Sequence, residues 1–125
     1  MDAIFSLKPS FAEAILAGSK TVELRTVAPA KPVERVWIYV TAPQMKIMGY
    51  FRPGDIRHAT AEDCKRAQVP DVDLSRFFAI EICDPVTLEP PINPRGLNLP
   101  YLWLSPQSWR YAGKQEEKAL REVAP

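Results

Sequence analysis

Two strand-like segments separated by only three residues are the feature that most constrains this chain. Residues 35–41 are rich in β-branched and aromatic side chains and are apolar on both faces, as a central strand is. Ala42-Pro43-Gln44 turns the chain, and residues 45–52 form the next strand, in which Gly49 marks a bulge or a close approach of another backbone. The pattern therefore predicts a β-sheet at the centre of the fold.

One helix is predicted between the first two strands of the chain. Residues 3–7 form a short first strand. Ser10 and Glu13 then make a capping box, which predicts that the helix begins at Ser10. Gly18 supplies the C-terminal stop of this helix. Residues 20–26 follow at once and alternate polar with apolar side chains, which predicts the second strand.

The second half of the chain combines short helices with one long strand. A capped helix near Thr60 precedes a long strand over residues 77–88. The proline-rich segment 89–100 predicts an ordered surface loop with extended parts. Ser-Pro at the start of 105–109 predicts a short helix there. The charged segment 114–122 is compatible with a helix that packs loosely.

The order of these elements favours an α+β fold. Few helices separate the strands, so a mostly antiparallel or mixed, curled sheet fits better than a doubly wound parallel one. A chain of 125 residues fits one domain with one hydrophobic core. We expect that domain to span residues 1–112, followed by a charged, helical tail over residues 113–125.

Composition narrows the classes of function that the chain can have. Its net charge of +1 lacks the basic footprint of a strong duplex binder, although a local basic cleft stays open. Cys64, Cys83 and the single His58 have no metal-ligand spacing, so we expect no metal and no cofactor. Reduced cysteines, with no signal peptide or membrane span, predict a cytoplasmic protein that does not contact a membrane.

Lys20, Glu23 and Arg25 form the central group of charged residues. Glu23 and Arg25 are two positions apart on a strand and therefore point to one face, while Val22 and Leu24 are expected inward. Lys20 can neutralise a phosphate or, with a lowered pKa, act as a base or nucleophile. Glu23 can position Lys20 or accept a hydrogen bond from the amino group of a nucleobase. Arg25 can contact a phosphate or the edge of a nucleobase. The alternative is a charged network on the surface.

Three segments of the chain resemble ASCH domains. Residues 4–25, which include Gly18-Ser19-Lys20-Thr21-Val22-Glu23-Leu24-Arg25, resemble the opening of that family. Residues 36–49 are similar to its next two strands, and residues 106–111 to the closing motif of a stand-alone subgroup. The resemblance implies a PUA-like open β-barrel, with short helices at the barrel ends and a central cleft.

The resemblance also implies that this cleft binds RNA or another nucleic acid. Some small ASCH proteins are amidohydrolases that act on acylated cytidines, and ribonuclease activity has been attributed to others. Those assignments rest on a lysine at the position of Lys20 and a threonine three residues later. Glu23 occupies the threonine position here, which disfavours deacylation. Lys20 and Glu23 are the candidate catalytic groups if the protein is an enzyme.

The predicted ligand-binding residues extend beyond this group. A Trp beside an Arg suits stacking on a base and holding a phosphate, although the same aromatic residues could simply close the barrel. The turn after the third strand borders the cleft in the family picture, and Lys8 precedes a helix N-terminus. The complete predicted set is Lys8, Lys20, Glu23, Arg25, Tyr39, Thr41, Ser108, Trp109 and Arg110.

Three functions stay open at this point. Binding of RNA or single-stranded nucleic acid, with a modified base as one variant, ranks first because the cleft chemistry is basic and aromatic. The second is a hydrolase that acts on an N4-acylcytidine-like nucleoside, or a ribonuclease. The third is a regulatory domain that binds a nucleotide metabolite or another nucleoside-like small molecule. This domain would contact a protein through the proline-rich segment 89–106. Glu23 in place of the threonine argues against an enzyme.

Overall fold

One curled six-stranded sheet organises the fold in this computed structural model, which describes residues 1–70 and 73–125. The strands are β1 Ala3–Leu7, β2 Val22–Arg25, β3 Val36–Val40, β4 Lys46–His58, β5 Phe78–Ile92 and β6 Trp109–Tyr111. The α-helices are α1 Pro9–Leu16, α2 Ala61–Ala67 and α3 Lys114–Val123.

The sheet is mixed, in the strand order β2-β5-β4-β3-β1-β6. β1 runs parallel to β3, and every other neighbouring pair is antiparallel. The sheet curls into a half-barrel, so the predicted α+β fold with a mixed, curled sheet is confirmed. Gly49 makes the predicted close approach, because a Cβ atom there would lie 2.3 Å from the Val86 carbonyl oxygen.

β1 and β3 are buried on both of their faces. Phe5 and Ile38 belong to the apolar cluster inside the curl, which α1 also covers. Ile4 and Trp37, their sequence neighbours, belong to a second cluster on the opposite face, with Leu120 of α3. Successive side chains of a strand point to opposite faces, so the two clusters alternate along β1 and β3.

Side chains join β2 and the loop after it to β1 and β6, where the curl brings these strands together. Among the described residues β2 and β6 share no backbone ladder. Instead Arg25 donates to the Ser6 carbonyl oxygen at 3.0 Å, and Trp109 Nε1 donates to the Val27 carbonyl oxygen at 2.8 Å. The Tyr111 hydroxyl accepts from two backbone amides of the loop that follows β2. We call this line of contacts the barrel seam.

The predicted capping box at the start of the first helix is wrong. α1 begins at Pro9, and Lys8 is its N-cap residue without a side-chain cap. Proline suits the first helical position because it lacks the N–H that would be unsatisfied there. It also forces the preceding residue into an extended conformation. Ser10 is therefore already helical and cannot act as the cap.

The predicted helix over residues 105–109 is also wrong. Trp109–Tyr111 forms β6, which pairs antiparallel with β1 so that Trp109 lies opposite Phe5. Two strands run further than expected: β4 continues past Pro53 to His58, and β5 enters the proline-rich segment as far as Ile92. In both places pairing with a distant strand overrides the local signal.

The C-terminal charged segment does not pack loosely. Leu120 is fully buried in the cluster that contains Trp37, and Glu116 is 1% exposed. Arg121 donates to Asp2, which ties α3 to the start of β1. α3 is therefore an integral layer over one face of the sheet.

Candidate functional site

The start of β2 brings Lys20 and Glu23 together at the barrel interior. Lys20 follows the end of α1, and its ammonium lies 3.1 Å from Glu23 Oε1. Val22 faces the other way, toward Ala67 of α2 and Ala79 of β5. The strand is thus buried on both faces, and its polar face lines the barrel instead of the surface.

Lys20 is a buried cation, with only 1% of its surface exposed. Its Nζ donates to the Ala67 carbonyl oxygen at 2.6 Å and lies 5.1 Å from the centre of the Phe11 ring. Burial lowers the pKa of Lys20, because it disfavours the charged amine. The carboxylate of Glu23 opposes that shift, and the neighbouring Arg25 adds to it.

Arg25 extends this arrangement to the barrel seam. Its Nε donates to Glu23 Oε2 at 2.8 Å. Its two terminal nitrogens donate to the Ser6 carbonyl oxygen at 3.0 Å and to Ser108, whose hydroxyl lies at 3.0 Å and carbonyl oxygen at 3.2 Å. The guanidinium also stacks over Phe5 at 4.8 Å. The structure therefore joins Lys20, Glu23, Arg25 and Ser108, which we call the Lys20 network.

The Lys20 network holds more positive than negative charge. Two cations, Lys20 and Arg25, share the single carboxylate of Glu23. In the described part of the chain no second carboxylate lies within ion-pair distance of either cation. The excess charge is poorly screened because it is largely buried, and it lies next to Ser108 at the exposed end of the network. An anion that reaches Ser108 is therefore attracted.

Three other predicted residues lie near the network or near the same end of β1. The Trp109 ring lies along the barrel seam, 5.6 Å from the Phe5 ring. Lys8 is exposed directly after β1. The Thr41 hydroxyl donates to the Leu7 carbonyl oxygen at 3.4 Å, so this side chain fixes the strand end.

Tyr39 and Arg110 lie on the opposite face of the sheet from the Lys20 network. The Tyr39 ring packs 5.0 Å from that of Trp103. Arg110 makes two bonds to the Glu116 carboxylate, at 2.6 and 2.8 Å. The predicted Ser108-Trp109-Arg110 corner is thus divided, because Trp109 and Arg110 are consecutive residues of a strand and face opposite sides.

Sequence reasoning missed the Phe5 ring and two backbone carbonyls, those of Ser6 and Ala67. A carbonyl oxygen is common to every residue, so no sequence signal marks it as a partner. Phe5 had a weak signal, since it lies in β1 among apolar neighbours, but its contact with Arg25 depends on how the sheet curls.

The described residues give two further findings. Nowhere in residues 1–70 and 73–125 do three His, Cys, Asp or Glu side chains group as metal ligands would. None of the helices in these ranges has the length and apolar character that crossing a membrane requires.

Comparison with known sequences finds a relative of part of the chain. No protein-family model matches the chain. A Zymomonas mobilis protein named ASCH domain-containing ribonuclease is 44% identical over 50 residues. That match covers 39% of this chain and only 34% of the relative, about a third of its length.

Comparison with solved structures covers nearly the whole chain. The crystal structure of ASCH from Zymomonas mobilis superposes with a TM-score of 0.78 at 25% identity, over 98% of this chain and 94% of that one. A serine-to-alanine variant of the Zymomonas protein gives a TM-score of 0.77 at 23% identity, over 98% of this chain and 95% of the other. The shared fold confirms the predicted PUA-like type, and together with the local sequence match it supports membership of the ASCH family.

Proposed function

We propose that this protein binds RNA, or another single-stranded nucleic acid, through the Lys20 network. The main support for this proposal is the unbalanced charge of that network, in which Lys20 and Arg25 share one carboxylate. The open end of the network is at Ser108. A phosphate group is the anion that nucleic acids offer to such a site.

Arg25 is the residue through which the phosphate would be held. Two of its hydrogen bonds go to Ser108, which is exposed and lies in a loop just before β6. A phosphate oxygen can replace those two contacts, while the bonds to Glu23 and Ser6 keep the guanidinium in place. In the closed network Lys20 is too buried to contact a ligand, so in binding it acts by keeping the network positive.

A single strand fits this site better than a duplex does. The net charge of +1 gives no extended basic surface for two phosphate backbones. The Trp109 ring, partly buried at the barrel seam, offers an aromatic surface beside Arg25, and bases of a single strand can stack on such rings. The relative named as a ribonuclease supports RNA as the nucleic acid.

Cys64 and Cys83 are free thiols, which supports a cytoplasmic location.

Equilibrium binding to labelled single-stranded RNA tests this proposal. We expect Arg25→Ala to weaken binding about tenfold or more, which corresponds to roughly 1.4 kcal/mol. Arg52→Ala is the matched control, because Arg52 is an exposed arginine that pairs with Asp84 away from the seam. Equal affinities of the two variants, or binding only to a free nucleoside, would contradict the proposal.

Cleavage of the bound RNA is a second candidate, favoured by the lowered pKa of Lys20 and by the name of the relative. In this reaction the ribose 2′-hydroxyl attacks the adjacent phosphorus and the bond to the 5′-oxygen breaks. Lys20, in its neutral form, would accept the 2′ proton, with Glu23 beside it, and water would protonate the leaving oxygen. This step requires the ligand to open the network far enough to reach the Lys20 amine.

A gel assay of RNA cleavage separates this candidate from binding alone. We expect Lys20→Arg to retain binding, because the charge is kept, and to lose cleavage, because arginine does not deprotonate. Cleavage at an unchanged rate in Lys20→Arg would remove Lys20 as the base.

A further inference from the structure

A cavity lies on the opposite face of the sheet from the Lys20 network. Its volume is about 310 Å³, and Tyr39 and Trp103 form its aromatic wall. Lys46 and Arg95 line it as well, and Ser105 borders it. Aromatic rings beside unpaired cations are the combination that binds a base together with its phosphate.

The aromatic wall is held in a fixed position. The rings of Tyr39 and Trp103 lie 5.0 Å apart at 46°. The Arg110 guanidinium lies 5.6 Å from the Trp103 ring, and its two bonds to Glu116 hold it there. Tyr39 and Trp103 are only 5% and 3% exposed, so a base that enters the cavity meets the edges of fixed rings, and less ordering is needed on binding.

Trp103 carries a polar group that the fold leaves unused. The residue is 3% exposed, and its Nε1 is buried without a hydrogen-bond partner among the described residues. Buried polar groups are paired in the great majority of cases, so each exception calls for an explanation. A ligand acceptor, such as a base carbonyl or ring nitrogen, would complete this donor.

The two cations of the cavity are free to act on a ligand. Lys46 and Arg95 are exposed, and in the described part of the chain neither pairs with a carboxylate. A larger cavity of about 590 Å³ near Arg52 and Arg121 differs, because these two arginines pair with carboxylates. Glu34 and Asp84 also line the larger cavity, whereas no carboxylate is among the described residues that line the smaller one.

One short loop connects this cavity to the Lys20 network. Ser105 borders the cavity, and Ser108 contacts Arg25. Between them, the Pro106 carbonyl oxygen accepts from the Ser6 hydroxyl at 2.6 Å, which anchors the loop across the end of β1. Three residues span at most about 11 Å. A single strand of two or three nucleotides can therefore reach both places.

We infer that the Tyr39–Trp103 cavity is a second nucleotide subsite of the RNA-binding surface. The base of one nucleotide enters the cavity beside Tyr39 and Trp103 and accepts from Trp103 Nε1, and Lys46 and Arg95 contact its phosphate. The neighbouring phosphate along the strand binds at Arg25. This inference rests on the proposed function, and it adds that recognition extends over at least two nucleotides and over the edge of the sheet.

An RNA length series tests the second subsite. Binding of 5′-AMP, a dinucleotide and a hexanucleotide is compared for the wild type and for Lys46→Glu/Arg95→Glu. The matched control, Lys65→Glu/Arg76→Glu, makes the same charge change at two exposed residues away from the cavity. We expect the wild type and the control to gain at least tenfold in affinity with length, and the cavity variant to lose that gain.

The possible failures can be told apart. If the wild type binds none of the three ligands, the proposed function and the second subsite both fail. If RNA binding depends on Arg25 but the cavity variant gains affinity with length as the control does, only the second subsite is overturned.

An NMR measurement gives an independent answer that does not depend on charge. The indole Nε1–H resonance of Trp103 is assigned by its loss in Trp103→Phe, and the wild type is titrated with the hexanucleotide. A shift of that resonance supports the subsite. A shift confined to the Trp109 resonance, with Trp103 unchanged, overturns it.

Discussion

Glu23 and Glu116 are both buried carboxylates that bind arginine, yet their surroundings differ. Glu116 is 1% exposed, and both of its oxygens accept from Arg110, with a further bond from the Gly113 backbone amide. Glu23 is 5% exposed and is shared between Lys20 and Arg25. The Glu116 group has one charge of each sign, and the Glu23 group has two positive charges and one negative.

The difference separates a structural ion pair from a candidate binding site. Arg110 is about a third exposed, with 35% of its side chain open to solvent, and its pair with Glu116 holds the start of α3 against the sheet. Lys20 has no such access to water. A fold gains nothing in stability from burying a second cation beside one carboxylate, so the extra charge in the Lys20 network calls for a role outside folding.

The largest effect on stability is expected when the carboxylate of each group is removed. Glu23→Ala leaves the buried Lys20 amine without its counter-ion, and we expect a loss of about 3–5 kcal/mol in the free energy of unfolding. Glu116→Ala frees Arg110 to be hydrated, so we expect a smaller loss of about 1.5–3 kcal/mol. Urea unfolding at neutral pH measures both. Equal losses would remove the distinction between the two groups.

A second variant converts the Lys20 network into a balanced pair. Lys20→Met leaves Glu23 with Arg25 alone and replaces a buried ammonium by an apolar side chain of similar length. We expect a smaller loss of stability than in Glu23→Ala, because Glu23 keeps Arg25 as its counter-ion and only the bond to the Ala67 carbonyl oxygen is lost. We also expect a fivefold to tenfold loss of RNA affinity, about 1–1.4 kcal/mol. Retained affinity, measured by fluorescence anisotropy, would show that the excess charge is irrelevant to binding.

The same variant isolates the pH dependence of Lys20. Its pKa is lowered in the folded protein from the usual 10.5, so above the lowered pKa the unfolded chain binds more protons than the folded one. The contribution of Lys20 to stability therefore rises with pH up to about the usual pKa of lysine. We measure the free energy of unfolding of the wild type and of Lys20→Met by urea unfolding across that pH window. We expect the wild-type value minus the variant value to increase with pH. A flat or falling difference would contradict the lowered pKa.

The smallest expected effect concerns the open end of the network. Ser108→Ala removes one hydroxyl acceptor, but Arg25 keeps the Ser108 carbonyl oxygen. Since Ser108 is exposed, we expect stability to change by less than about 0.5 kcal/mol. We also expect the affinity for RNA to change by less than threefold. A collapse of stability in thermal unfolding would mean that the hydroxyl is part of the core structure.

The part of the site that the sequence could predict is the part that is local. Glu23 and Arg25 share a face because a strand has a period of two, and Lys20 is only three positions away. The association with Ser108 came from the resemblance to the family, since 83 residues separate it from Arg25. No local pattern reports such a distant contact.

The predictions that failed depended on long-range packing. β6 has three residues, too few to show an alternating pattern, and it is defined by pairing with β1 across the whole chain. For the same reason the opposite facings of Trp109 and Arg110 could not be foreseen. The sequence of the tail predicts loose packing because it has few large apolar residues, but one of them, Leu120, completes the cluster of Trp37 on a face that only the folded sheet creates.

The salt dependence of RNA binding tests the central claim most directly, namely that the positive Lys20 network holds a phosphate. Each phosphate contact with a single strand contributes about 0.7 to the slope of log K against log salt concentration. We predict that Arg25→Ala lowers the slope by roughly that amount, relative to the wild type and to Arg52→Ala. An unchanged slope in Arg25→Ala, with affinity equal to that of Arg52→Ala, would contradict the account.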